Sequence, residues 1–154
     1  MEFGSVTRRT RQLDDIAEAL PRRASLLSHL FLKHTTLDVS RTEIGVLSAA
    51  SEQPQRITDL AAGEGVTQPA ITLIVNRLAT RGWVVREADP SDGRAVLVVL
   101  TDAGRLAFDD IRAEYRALMH EEMATLDDEA VEVLARAIDV LDEVITRLRA
   151  EREP

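Results

Sequence analysis

The chain has 154 residues, 45% of them hydrophobic, which suits one domain of ordinary size with a real core and excludes a disordered tail. It contains no cysteine, so a disulfide scaffold, a cysteine-ligated zinc finger and a thiol switch are excluded. The formal net charge of −8 argues at first against a polyanionic partner, but the eight-acid excess lies entirely in residues 102–154, while residues 56–94 carry five basic and five acidic groups.

In chain order, Met1 to Ser5 resembles the translated cloning sites of an expression vector and is set outside the fold. The rest of residues 1–11 is polar, with Arg8, Arg9 and Arg11 clustered, and reads as a flexible N-terminus: a solvated end or a basic arm. From Leu13 to His34, apolar residues recur at Ile16, Leu20, Leu27, Leu30 and Phe31, which predicts a helix, or a pair broken near Pro21. Ser40 to Glu43 forms a capping box that opens a helix running to about Ser51. Thr58 is the expected cap of a short helix over residues 59–62, and Gly63 and Gly65 permit the tight turn after it. Thr67 caps a second helix with Pro69 in its first turn, where no intrahelical N–H is yet required.

In that second helix Ile71, Ile74, Val75 and Leu78 share a core face, leaving Gln68, Thr72, Asn76 and Arg77 on the other, with Thr80 and Arg81 at the end. The stretch Gln68 to Gly82 holds two arginines and no acid, so its surface is locally positive despite the overall charge. The aliphatic runs Trp83 to Arg86 and Val96 to Leu100, separated by Asp89-Pro90-Ser91-Asp92-Gly93-Arg94, predict two strands and a turn. Thr101 caps a helix expected to reach about Met123. A last helix carries Leu134, Ile138, Leu141, Ile145 and Leu148 at heptad spacing, a seam that seeks a partner helix. The order reads as a winged helix-turn-helix: a mainly α fold with a small β-hairpin wing. One helix then fits the DNA major groove and an arginine at the wing reaches backbone or minor groove.

Two blocks carry a family resemblance: Val66-Thr67-Gln68-Pro69-Ala70-Ile71-Thr72 with Asn76-Arg77-Leu78 and Arg81-Gly82-Trp83-Val84, and Asp92-Gly93-Arg94 followed by a hydrophobic strand closing at Leu100-Thr101. Over about residues 12–150 the chain resembles the MarR family of bacterial transcription regulators. The resemblance implies residues 40–101 as the DNA-binding region and residues 12–39 and 102–150 as helical dimerisation regions. It also implies an obligate homodimer on double-stranded DNA, at a pseudo-palindromic operator. Arg94 would be the minor-groove arginine and Asp92 the acid that orients it. On the preceding helix, Gln68 and Thr72 suit base edges, Thr67, Arg77 and Arg81 suit phosphates, and Pro69 either touches a base or sets the angle of approach. Leu73 stands where the family often has a basic or polar residue, and Asn76 where it often has aspartate.

A small aromatic or lipophilic effector would sit near Leu26, Leu30, His34 and Tyr115. No cofactor and no metal are expected, because His29 and His34 diverge by about 140° on a helix and His120 lies far along the chain. No glycine-rich phosphate loop or catalytic constellation suggests an enzyme, and no apolar run approaches the roughly 18 residues of a membrane span, so the expected compartment is the cytoplasm. The expected function is an effector-responsive repressor. The alternatives are a protein-interaction module that retains the winged fold and binds through the acidic C-terminal surface, and a metal-responsive regulator.

Overall fold

In a computed structural model, residues 3–150 are described, with the side chains of 3–6, 93, 94 and 149 left aside. Six helices and three strands follow in order: α1 (Phe3–His34), α2 (Arg41–Glu52), β1 (Gln55–Arg56), α3 (Ile57–Glu64), α4 (Gln68–Thr80), β2 (Val84–Asp89), β3 (Asp92–Leu100), α5 (Asp102–Met123) and α6 (Asp128–Ala150). The fold is mainly α with a small three-stranded antiparallel wing. Two compact units are distinguished, one running to Tyr115 and the other from Arg116 on.

α1 is longer than the sequence pattern suggests. It is one helix from Phe3, so residues 3–11, expected to be a flexible terminus, are helical, and Pro21 lies inside it without a break. The cost of an interior proline is a missing N–H and a crowded carbonyl four residues earlier. That carbonyl belongs to Ala17 on an exposed stretch where water can satisfy it, and the flanking residues, Ala17 to Leu20 and Arg22 to Ala24, are strong helix formers. The C-terminal end of α1 is tied to α5: Phe31 stacks on Tyr115 with ring centroids 4.9 Å apart, and the Thr36 backbone N–H donates to Glu114 Oε2 at 2.9 Å. The Thr36 hydroxyl donates to the other oxygen of Glu114, and these two bonds hold the carboxyl below its ordinary pKa.

The capping box forms as expected. Ser40 Oγ accepts from the Glu43 N–H at 3.2 Å, and Glu43 Oε2 accepts from the Ser40 N–H at 2.7 Å. The start of α3 differs from expectation. Its N-cap is Arg56 of β1, held extended by pairing with Leu97 of β3, while the Thr58 hydroxyl turns to Asp59 and caps nothing. α3 ends in a Schellman motif at Gly65, whose φ of 66° suits glycine, with the Val66 N–H donating to Ala61 O at 3.0 Å. Gly63, expected to share that turn, lies within the helix.

The sheet order is β1-β3-β2. Two residues of strand with no periodic pattern gave β1 no signal of its own; it exists because β3 offers it an edge. The core of the first unit joins Val46 and Leu47 of α2, Leu60 of α3, Ile71, Val75 and Leu78 of α4, Val84 and Val98 of the wing, and Phe108 and Ile111 of α5. Burial of this cluster fixes α4 between the helical layer and the wing.

Candidate nucleic-acid interface

α4 is presented outward by its caps. Thr67, extended at φ −73°, accepts the Ala70 N–H on its hydroxyl, and Pro69 occupies the first turn. At the other end Gly82, at φ 74°, closes a second Schellman motif in which the Trp83 N–H donates to Leu78 O at 3.0 Å. Ile71, Val75 and Leu78 are fully buried and Ile74 half-buried, so the predicted core face holds. Gln68, Pro69, Leu73, Asn76 and Arg77 are exposed, and Thr72 is half-buried.

The two arginines of α4's end are partly engaged. Arg77 keeps 60% of its side chain exposed while its Nε lies 3.6 Å from the buried carboxylate of Glu43, a neighbour in space that replaces the local partner Asn76 does not supply. Arg81 lies over the Trp83 ring at 5.0 Å and reaches to 4.0 Å from Asp38. Both cations are therefore held near the helix before any phosphate arrives.

The wing is tighter than the sequence suggests. Its turn is Pro90-Ser91, with Asp89 paired opposite Asp92, and the register shifts between Ala88 and Asp89 because Ala88 pairs with Val96. Gly93 and Arg94 thus belong to β3, at an irregularity just past the tip and not in the turn itself. The Arg94 side chain, and with it the expected pairing to Asp92, lies outside the described residues. Asp92 lines a groove of about 370 Å³ together with Gln68, Arg56, Thr58, Ala95 and Val96, which brings the start of α4 and the wing to one surface.

Four contributors escaped the sequence reading: Arg56, Asp89, Ser91 and Arg86. Asp89 is buried at the tip and binds Arg56 of β1, with Arg56 Nε donating at 2.8 Å and Nη2 at 2.5 Å from the same carboxylate oxygen. Ser91 donates to the other oxygen through its N–H at 2.8 Å and its hydroxyl at 2.6 Å. The Ser91 bonds, with Arg56 beside them, bring the Asp89 pKa down to about 2. Arg86 of β2 extends to the Thr72 carbonyl at 3.5 Å and links wing to α4. The Asp89 to Ser91 bonds are local, but the roles of Arg56 and Arg86 rest on partners 33 and 14 positions apart, which no local motif encodes.

Of the residues expected around an effector, Tyr115 lines a cavity of about 140 Å³ with Ser28, Phe31, Leu32, Arg41 and Ile44. Leu26, Leu30 and His34 are exposed and do not line it. They follow one another at four-residue spacing, but that stripe is rotated by about 150° from Ser28, Phe31 and Leu32. The spacing identified one face of α1, and packing chose another. Among the described residues no three His, Asp or Glu side chains approach closely enough to hold a metal ion, and no helix is long and apolar enough to cross a membrane.

A family model described as the MarR family matches residues 39–96, the span from α2 into β3. An HTH-type transcriptional regulator of Mycobacterium leprae is 29% identical over 136 residues, covering 88% of this chain and 93% of its own length. Among solved structures, a MarR family regulator from a Rhodococcus species aligns with a TM-score of 0.64 at 28% identity, over 83% of this chain and 92% of that one. Wild-type MarR of Escherichia coli in its apo form shares the fold, with a TM-score of 0.68 at 24% identity over 84% of this chain and 96% of its own. The capped helix, the wing and these relatives agree: residues 39–96 match the MarR family, and along most of its length the chain is similar to HTH-type transcriptional regulators with a winged helix-turn-helix fold.

Proposed function

We propose that this DNA-binding regulator is a repressor that occupies a pseudo-palindromic operator as a homodimer. The observation that carries the reading is the joint surface of α4 and the wing: an outward helix face without an acid, capped at both ends, beside a strand that bears Arg94 at its tip irregularity. Gln68, Thr72 and Asn76 then read base edges, Thr67, Arg77 and Arg81 meet phosphates, Pro69 sets the approach of the helix, and Arg94 enters the minor groove with Asp92 orienting it. Two such lobes about one helical turn apart, roughly 34 Å, read two half-sites. The dimerisation reading is supported by apolar residues exposed along α1 and α6.

Release follows when a small aromatic or lipophilic effector enters beside Tyr115. The cavity there, about 140 Å³, is smaller than the roughly 300–1,000 Å³ of sites for drug-sized ligands, so occupancy requires α1 to shift against α2 and α5. A shift of that kind changes the separation of two reading helices. The test is selection of bound duplexes from a random pool, followed by anisotropy titration of the enriched site against salt for wild type and Arg94→Ala. An enriched inverted repeat, bound more weakly by the variant and with a steep salt slope, supports the reading. No enrichment, or enrichment indifferent to Arg94, sinks it in favour of a protein-interaction module.

A further inference from the structure

The buried side of α4 is fixed by Ile71, Val75 and Leu78, each with no exposed surface. Leu73 lies about 140° to 200° around the helix from those three and keeps 67% of its surface exposed. Single exposed leucines are ordinary on protein surfaces, so exposure alone decides nothing. Position does. Leu73 is at the middle of the outward face, four residues after Pro69 and three before Asn76, and it forms part of a largely apolar groove of about 740 Å³ with Ala70, Ile74, Arg77 and Arg81. A basic or polar side chain there would seek phosphate or a base heteroatom; leucine offers neither donor nor acceptor. On the major-groove floor the thymine 5-methyl is the apolar group it can meet, and the amide of Asn76, on the next turn, matches the donor and acceptor edge of adenine.

We propose that Leu73 is a specificity-determining residue that seats the methyl group of one thymine in each operator half-site. The inference rests on the DNA-binding reading above and goes beyond it by assigning a base. It requires that α4 present its outward face to the groove floor, as its caps and core stripe arrange. Arg77 and Arg81, held at the groove's edge by Glu43 and by Asp38 with Trp83, are placed for the flanking backbone and leave the floor to Leu73.

The test uses the duplex enriched by selection and deletes thymine methyl groups by replacing thymine with uracil, one symmetry-related pair at a time, with anisotropy read for wild type and Leu73→Ala. Because Leu73 is exposed and alanine favours helix, the variant is expected to fold, which circular dichroism checks. The expected result is one uracil position that weakens wild type by about fourfold per half-site, the size of one buried methyl group, and has no effect on Leu73→Ala. Uracil effects elsewhere persist in both proteins. If no uracil position loses its effect in the variant while Arg94→Ala still weakens binding, the Leu73 assignment is overturned and the regulator reading stands. If wild type enriches no duplex, both fall together.

Discussion

Asp89 sits at the tip of the wing with all its hydrogen-bonding capacity directed at neighbours: Ser91 on one carboxylate oxygen, Arg56 on the other. Its pKa of about 2 lies below the usual aspartate value of about 3.9, so the folded protein favours the ionised form. The sign of the linkage follows. A depressed carboxylate stabilises the fold fully above its unfolded pKa, and that contribution fades as pH falls through the unfolded value toward the folded one. Asp89→Asn retains the shape and loses the charge. The expected outcome is a gap in urea stability between wild type and variant that is constant from about pH 8 to about pH 5 and narrows between about pH 4 and about pH 2. A gap unchanged to the acid end would show that the charge on Asp89 does not hold the tip. The same residue explains how β1, too short to be detected in the sequence, is retained: Arg56 bridges it to the hairpin.

Where α4, β2 and α5 meet, each element is ended or begun by the others. Thr101 donates its hydroxyl to Gly82 O at 2.6 Å and accepts the Gly104 N–H at 3.0 Å, while its own N–H donates to Trp83 O at 3.0 Å. A Cβ added at Gly104 would stand 1.9 Å from that Trp83 oxygen, which is backbone and already bonded. Alanine gains about 1 kcal/mol of helix propensity over glycine, but overpacking typically costs about 1–3 kcal/mol, and a backbone clash this close lies at the upper end. Gly104→Ala is therefore expected to destabilise by about 2 kcal/mol, seen as a lower urea midpoint at unchanged slope; a midpoint equal to or above wild type would contradict the packing argument. Elements of this kind were legible where the code is local: the Ser40 and Thr67 caps, the stripe of Ile71, Val75 and Leu78, the two wing strands. Features decided by tertiary partners were not. Pairing with β3 starts α3 at Ile57 and leaves Thr58 without a capping role, and packing against Tyr115 selects Phe31 over Leu30 as the inward residue of α1.

On the scale of the whole molecule, a protein with an apolar seam exposed to water is incomplete. In α1, Leu13, Ile16, Leu20, Leu27 and Leu30 fall within a sector of about 100° and are all exposed. In α6, Leu134, Ile138, Ile145 and Leu148 continue a heptad stripe and remain 42% to 58% exposed. Burial of such a side chain contributes about 1.5–3 kcal/mol, so several of them outweigh the entropy of association, and a second copy of the chain brings the same seams. The eight-acid excess of residues 102–154 is placed so that α6 carries its acids beside the stripe and not within it. Charging the stripe should therefore oppose association directly. For Ile138→Glu combined with Ile145→Glu, sedimentation at micromolar concentration is expected to give a protomer where wild type, on the homodimer reading proposed above, is expected to give a dimer. Affinity for a palindromic operator should fall by about 10²–10⁴-fold, because the second half-site no longer binds as part of one molecule. Circular dichroism at the same concentration separates lost association from lost folding. A variant that sediments as a dimer with both charges in place would remove α6 from the interface and shift the search to α1.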